Sequence, residues 1–238
     1  MATRSLGDGI DECLRFDTEQ ERHQWYSNAA KYWEAVPATI NGMLGGFADL
    51  TTRDVTASLD FLRPFLSVVG GGGTVGTSYA LDCGSGIGRV SKQLLLPIFS
   101  KVDLVEQNGS FLEQAPEYLG EYSVKVGQYY AEGLQTFTPE AGRYDVIWCQ
   151  WVLAHLTDDD LVAFFNRCKT GLKLGGMIFV KENVTKNKSA ADDVDHSVTR
   201  SLDAFYKIFS DTGLNIVKEK SQPNFPKALF PVIMFALA

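Results

Sequence analysis

Histidine and cysteine are scarce in this chain, with three and four in 238 residues. The cysteines, Cys13, Cys83, Cys149 and Cys168, are far apart and form no C-x-x-C pair. That spacing argues against a zinc site or a disulfide framework and leaves buried free thiols in a reducing compartment as the expectation. Long apolar runs are missing too. No signal-peptide-like segment opens the chain and no stretch reaches membrane-spanning length. The expectation is a soluble intracellular protein, cytoplasmic or nuclear, with no membrane partner. Basic residues are in the minority, 22 Lys and Arg against 29 Asp and Glu, for a net charge of −7. With no basic stripe, non-specific nucleic-acid binding is not favoured. An acidic balance suits a basic substrate, and equally suits a merely soluble surface. A monomer is the expected state.

What is present is a large apolar complement, 45% of residues, with 12% aromatic. That suffices for one sizeable α/β core. The organising stretch is Tyr79-Ala80-Leu81-Asp82-Cys83-Gly84-Ser85-Gly86-Ile87-Gly88-Arg89. It reads as a buried strand, a tight turn and a helix start. Glycines at alternate positions let the backbone turn and let a ligand lie against bare main chain. The helix start aims N–H groups at that ligand. Asp82 precedes the first glycine, and Glu106 follows about twenty residues on, after Lys101-Val102-Asp103-Leu104-Val105, which reads as the next strand. An acid there accepts hydrogen bonds from ribose hydroxyls, so a nucleotide-like cofactor is expected.

Three regions are expected within one compact body: a mobile tail over 1–16, an N-terminal helical cover and linker over 17–73, and a core over 74–238. Thr18 with Glu21 suggests a capping box. An aromatic-faced helix through Trp25, Tyr26, Tyr32 and Trp33 should stop near Pro37. Gly42–Phe47 reads as an irregular loop, either a lid or a packed connection. Asp54–Leu66 reads as a second helix and Gly70–Gly73 as a glycine linker. Strands are expected near 79–83, 102–106, 124–130, 144–149 and 176–181, with helices near 88–97, 109–119 and 158–172 between them. A helix over Val198–Thr212 and closing strands over Leu214–Glu219 and Val232–Leu237 complete the list. Alternating βα units make a doubly wound sheet. Two late strands able to pair antiparallel distinguish it from an all-parallel dinucleotide fold.

That layout resembles the seven-stranded class I methyltransferases, a Rossmann-like α/β fold here carrying an N-terminal helical extension. The resemblance implies S-adenosylmethionine (SAM) as the methyl donor. It sharpens at Tyr144–Val152 followed by Ala154-His155-Leu156-Thr157-Asp158, at Tyr32-Trp33 through Gly46, at Lys181-Glu182-Asn183, and at Asp192–Arg200. Together these are similar to the protein α-N-terminal methyltransferases, which methylate the free α-amine of X-Pro-Lys proteins. The similarity spans about residues 23–238.

The chemistry asks for a neutral amine although an α-amino group has a pKa of roughly 7.7–8. A base should therefore take the proton, and acids with aromatic faces should draw the cation in. The resemblance implies that His155 and Asp195 handle that proton. It implies a cofactor site of Gly84, Gly86, Arg89 (beside the donor's carboxylate), Glu106, Leu134, Gln135 and Gln150. It implies a substrate site of Tyr32, Trp33, Leu44, Gly45, Trp151, Asn183 (on the first peptide unit) and Asp192 (on the incoming lysine), with no metal. Read without the resemblance, the Asp192–Asp195 run would cap the helix that follows it. The chain departs from the family pattern at Glu106, where Asp is usual, over Lys186–Ala190, and at Phe230-Pro231. Alternative functions are a SAM-dependent methyltransferase of lysine or small-molecule amines, and a non-catalytic SAM-binding partner subunit.

Overall fold

The structure, a computed structural model, describes residues 14–67 and 72–238. Most of the expected tail and the start of the glycine linker lie outside the described residues. The described end of the tail is packed. Leu14 is buried, the Phe16 ring lies tilted against Trp25 at 5.6 Å, and the Leu14 carbonyl accepts from Asp158 N at 3.2 Å. The folded body therefore begins before the boundary expected at residue 17.

Helix α1, Glu19–Glu34, opens on the expected capping box, with Thr18 Oγ1 accepting from Glu21 N and the Glu21 carboxylate from Thr18 N. A one-turn helix, α2, Ile40–Met43, starts at Thr39. It sits within the segment expected to be irregular, because Thr39 Oγ1 caps Gly42 N at 3.1 Å. Helix α3, Thr51–Leu62, starts three residues before Asp54 and ends in a 3-10 turn at Arg63–Phe65, where Pro64 stops it.

The core follows as β1 (Tyr79–Cys83), β2 (Lys101–Val105), α4 (Gly109–Leu119), β3 (Val126–Tyr130), β4 (Tyr144–Gln150), α5 (Asp158–Gly171) and β5 (Leu172–Asn183). The stretch expected as a helix over 88–97 is short, with a π-turn at Ser91–Leu95. A small hairpin, β6 (Ala190–Asp192) with β7 (Ser197–Thr199), precedes α6 (Leu202–Asp211), β8 (Ile216–Ser221) and β9 (Val232–Leu237). The seven-stranded sheet runs β3-β2-β1-β4-β5-β9-β8. β1 to β5 are parallel, whereas β9 pairs antiparallel with both β5 and β8. The seven-stranded class I architecture read from the sequence is the one observed.

The hairpin corrects one expectation. The Asp192–Asp195 run does not start a helix, and Val198 lies on β7, paired with Ala191. The helix begins at Leu202 because Ser201 Oγ accepts from Ala204 N at 3.1 Å. Asp192 instead ends β6, and Asp193 and Asp195 sit on the turn that follows.

Both sheet faces are covered. One face packs Phe164, Phe165, Phe205 and Phe209 beneath α5 and α6. The other packs Phe61, Leu95, Trp148 and Phe179 beneath α3 and the π-turn. Burial on both sides explains why the central strands read as continuous apolar runs. The carboxyl ends of β1, β2, β4 and β5 all point to one edge, where open α/β sheets place their ligands.

Candidate active site

At that edge the chain leaves β1 through Gly84 and Gly86, at φ of +67° and +55°. A Cβ on Gly84 would meet the Val152 side chain at 2.4 Å, and one on Gly86 would meet Met43 Sδ at 2.4 Å. Conformation therefore favours glycine at both positions, and at Gly84 the branched Val152, with Cβ at 2.5 Å, also leaves no room. Asp82 is fully committed below the turn: its carboxylate accepts from Ser91 N at 3.0 Å and Ser91 Oγ at 2.6 Å. It ties β1 to the following helical turn, and burial pushes it up to about 6. Glu106, just past β2, accepts from Gly86 N at 3.0 Å and Asn108 N at 2.9 Å. Burial raises its carboxyl while these N–H groups oppose the rise.

A first cavity is bounded by this turn, Arg89, Glu106, Leu134, Gln135 and Gln150. The Leu134-Gln135 wall is fixed from behind. Arg167, on α5, donates to the Leu134, Gln135 and Phe137 carbonyls at 2.7, 3.2 and 2.7 Å. A second cavity is lined by Leu44, Gly45, Asn183, Asp195, Phe225 and Phe230 among others. Trp33, Met43, Trp151 and His155 border both cavities. The two spaces therefore meet at an aromatic neck.

Three buried polar atoms around these cavities have no partner among the described residues: Ser85 Oγ, Trp151 Nε1 and Asp195 Oδ1. Buried polar groups are normally paired, so each suits a polar ligand. Trp151 holds φ of +53°, a strained value for a tryptophan, and marks the sharp exit from β4.

His155 is well defined. Its Nδ1 lies 3.0 Å from the His196 carbonyl, which can only accept, so Nδ1 carries the proton. Its Nε2 receives Trp33 Nε1–H at 3.1 Å, so Nε2 presents a lone pair. Burial lowers its pKa below 6.5, against the His196 carbonyl and Asp195, which raise it. The neutral imidazole thus lies near the Asp195 carboxylate, whose Oδ1 has no partner among the described residues.

The 218 aligned residues of a Xenopus tropicalis protein named N-terminal Xaa-Pro-Lys N-methyltransferase 1 are 48% identical, covering 92% of this chain and 97% of that protein. The Homo sapiens protein of the same name is 46% identical over the same shares. A solved SAM-dependent methyltransferase from Leishmania major superposes with a TM-score of 0.83 at 39% identity, covering 90% of this chain and 83% of that one. The AdoMet dependent proline di-methyltransferase family matches residues 21–238. The chain belongs to this family. It is a SAM-dependent methyltransferase with the class I fold. A phosphoethanolamine N-methyltransferase from Haemonchus contortus shares that fold at a TM-score of 0.70 and 18% identity, covering 94% of this chain and 50% of that one.

The first cavity of the methyltransferase fits SAM by its chemistry. The unpartnered Ser85 Oγ, bare glycine backbone, the Glu106 and Glu132 carboxylates and the Arg89 guanidinium match a zwitterionic nucleoside. All seven cofactor residues expected from the sequence border it. Of the substrate residues, Trp33, Leu44, Gly45, Trp151 and Asn183 line the second cavity, with His155 and Asp195. Tyr32 and Asp192 line neither cavity. Tyr32 meets Trp33 edge-on at 5.5 Å, and the exposed Asp192 accepts from Val194 N at 2.8 Å. Two residues escaped the sequence reading. Asp54 is buried beneath Arg89 and Gln150. Glu182 accepts from Val152 N and Leu153 N, both at 2.8 Å, and so holds the segment between Trp151 and His155. Glu182 stands inside the Lys-Glu-Asn motif, but nothing in the motif says what it holds. Asp54 has no sequence signal beyond an acid on an apolar helix.

Proposed function

We propose that this methyltransferase transfers methyl groups from SAM to the free α-amino group of proteins beginning Xaa-Pro-Lys. The observation that carries the reading is the neck shared by the two cavities. A donor held over the glycine turn and an amine entering past Asn183 and Asp195 meet between Trp151 and His155. The names of the relatives support the same acceptor.

SAM supplies the sulfonium methyl. Arg89, Glu106, Gln135 and Gln150 hold the donor by its carboxylate, ribose and adenine edges. The incoming ammonium takes the open acceptor on Asp195 Oδ1. Its proton passes to His155 Nε2 once Trp33 yields that position, or to Asp195. With SAM bound, the neutral nitrogen would take its methyl group, an N–C bond forming as the S–C bond breaks. Asn183 holds the first peptide unit. Asp192, on the exposed hairpin outside the cavity, meets the lysine of the motif.

The test is mass spectrometry of synthetic peptides beginning Ser-Pro-Lys, incubated with enzyme and SAM. Methylation at the α-amine is expected, and acetylating that amine should abolish it. Methyl groups on the lysine of the acetylated peptide would point to lysine methylation instead. Donor binding without transfer to any peptide would point to a non-catalytic subunit.

A further inference from the structure

The donor cavity rests on a buried charge cluster. Asp54, on α3, is 1% exposed. Arg89 Nη1 donates to its Oδ2 at 2.7 Å, Lys181 Nζ lies 2.5 Å from Oδ1, and Gln150 Nε2 reaches the two oxygens at 2.8 and 3.0 Å. Lys181, at the end of β5, also donates to the Asp54 carbonyl at 3.0 Å and to Ser58 Oγ at 2.9 Å. Its three donors are thus used inside the cluster. Arg89 differs: it is 4% exposed, lines the donor cavity, and only Nη1 has an acceptor among the described residues.

Two cations share the Asp54 carboxylate, one more than it neutralises; the next acids, Asp82 and Glu106, accept instead from Ser91 and from the N–H groups of Gly86 and Asn108, and among the described residues no hydrogen bond joins either to Arg89 or Lys181. Burying an unbalanced charge is costly, and one cation would have sufficed to neutralise Asp54. An anion in the adjoining cavity would restore the balance. We propose that Lys181 is a positioning residue for the methyl donor: through the shared carboxylate of Asp54 it fixes Arg89 and supplies the surplus charge that holds the donor's carboxylate. The proposal rests on that carboxylate lying at Arg89. Lys181 does not border the cavity and acts through Asp54 and Arg89.

The charged groups around Lys181 are Asp54 on α3 and Arg89 after the glycine turn, with Asp82 and Glu106 beyond Arg89. Burial pulls the Lys181 ammonium down to about 8, against the pull of Asp54. The surplus charge is therefore present below that pH and lost above it.

The probe is a thioether analogue of the donor that keeps its carboxylate but lacks its amine, so that only the protein titrates near this pH. Methylthioadenosine, with neither group, is the control. Calorimetry on the full chain should show the carboxylate probe binding about tenfold more weakly at about pH 9 than at about pH 7, the change that one pKa unit of coupling represents. Lys181→Met should bind it as weakly at both pH values, with the control unchanged in both proteins. The variant leaves Asp54 paired with Arg89, and a thermal melt checks that it folds. If it does not fold, the wild-type pH comparison of the two probes decides.

Flat wild-type binding of the carboxylate probe, or equal loss of both probes in Lys181→Met, overturns the proposal. Arg89→Met separates it from the reading beneath it. Unchanged affinity for the carboxylate probe in that variant removes the donor's carboxylate from Arg89, and both ideas fall. A loss in Arg89→Met without one in Lys181→Met removes only the role of Lys181.

Discussion

The indole N–H of Trp33, on α1, donates to Nε2 of His155, 122 residues later, at 3.1 Å. The aromatic cover therefore occupies the lone pair that an incoming amine needs. A hydrogen bond donated to Nε2 favours the neutral imidazole, adding to the burial that already lowers its pKa. Trp33→Phe keeps the ring and removes the donor. The His155 pKa should then rise, by up to about one unit for a bond of ordinary strength. Titration of the His155 ring by NMR measures it, and an unchanged midpoint would show that the indole exerts no hold.

In the proposed mechanism the proton acceptors are distinct from the donor's polar partners. Asp195 borders only the second cavity and His155 the neck shared by both, while Arg89, Glu106, Gln135 and Gln150 border only the first. His155→Gln and Asp195→Asn should each lower kcat by about a hundredfold or more, the usual contribution of a positioned base. Donor affinity should stay within a factor of two or so. A variant that turns over normally loses its assigned role.

Positive φ favours glycine at 84 and 86, and at 84 there is also no room for a Cβ. Gly86→Ala must push Met43 aside, and Gly84→Ala must push the branched Val152. Each should weaken donor binding at least about tenfold and cost about 1–3 kcal/mol of stability. Calorimetric titration with S-adenosylhomocysteine and thermal melts read the two effects separately.

Glu182 contributes a pH dependence of stability. Burial pushes its carboxyl from 4.5 to about 7, although the N–H groups of Leu153 and Val152 oppose the rise. A group whose folded pKa is raised gives stability that is complete below its unfolded pKa and is lost as pH rises through the folded value. The loss falls between about pH 4.5 and 7. Glu182→Gln keeps an acceptor oxygen and cannot ionise, so its Tm relative to wild type should climb from pH 5 to pH 8. The full gain is about 3 kcal/mol at most. A pH-independent difference in melting would show that the buried carboxyl does not titrate in this range. Glu182→Ala leaves two N–H groups unpaired and should also lower kcat, since Trp151 and His155 flank them.

Much of this was legible in the sequence because local rules decide it. Alternating glycines, the acid after β2 and the apolar runs of β1, β4 and β9 depend on neighbours close in sequence. The antiparallel pairing of the two closing strands followed from their late position, whereas their order in the sheet did not. The hairpin carrying Asp195 was misread because three acids before a helical pattern mimic a cap. Ser201, six residues on, holds that position instead. Asp54 was invisible because its meaning comes from Arg89 and Lys181, 35 and 127 residues away. The packing of Leu14 and Phe16 was missed for a similar reason, since their partners lie on α1 and at the start of α5. Tyr32 shares the pattern of Trp33, but the turn of the helix gives only Trp33 a place at the neck.

Helix α1 is fastened chiefly to the His155 segment and the start of α5. Trp25 Nε1 donates to the His155 carbonyl at 2.7 Å, Arg22 Nε to Asp160 at 2.9 Å, and Thr157 N to Tyr26 at 3.1 Å. These bonds join residues 130 to 138 apart. The roof over the neck is thus made well before its footing, which follows only after four sheet strands. Closing so long a loop is slow compared with forming local turns. A refolding time course should therefore show the sheet complete while the neck is still open, and catalytic competence should lag behind compaction.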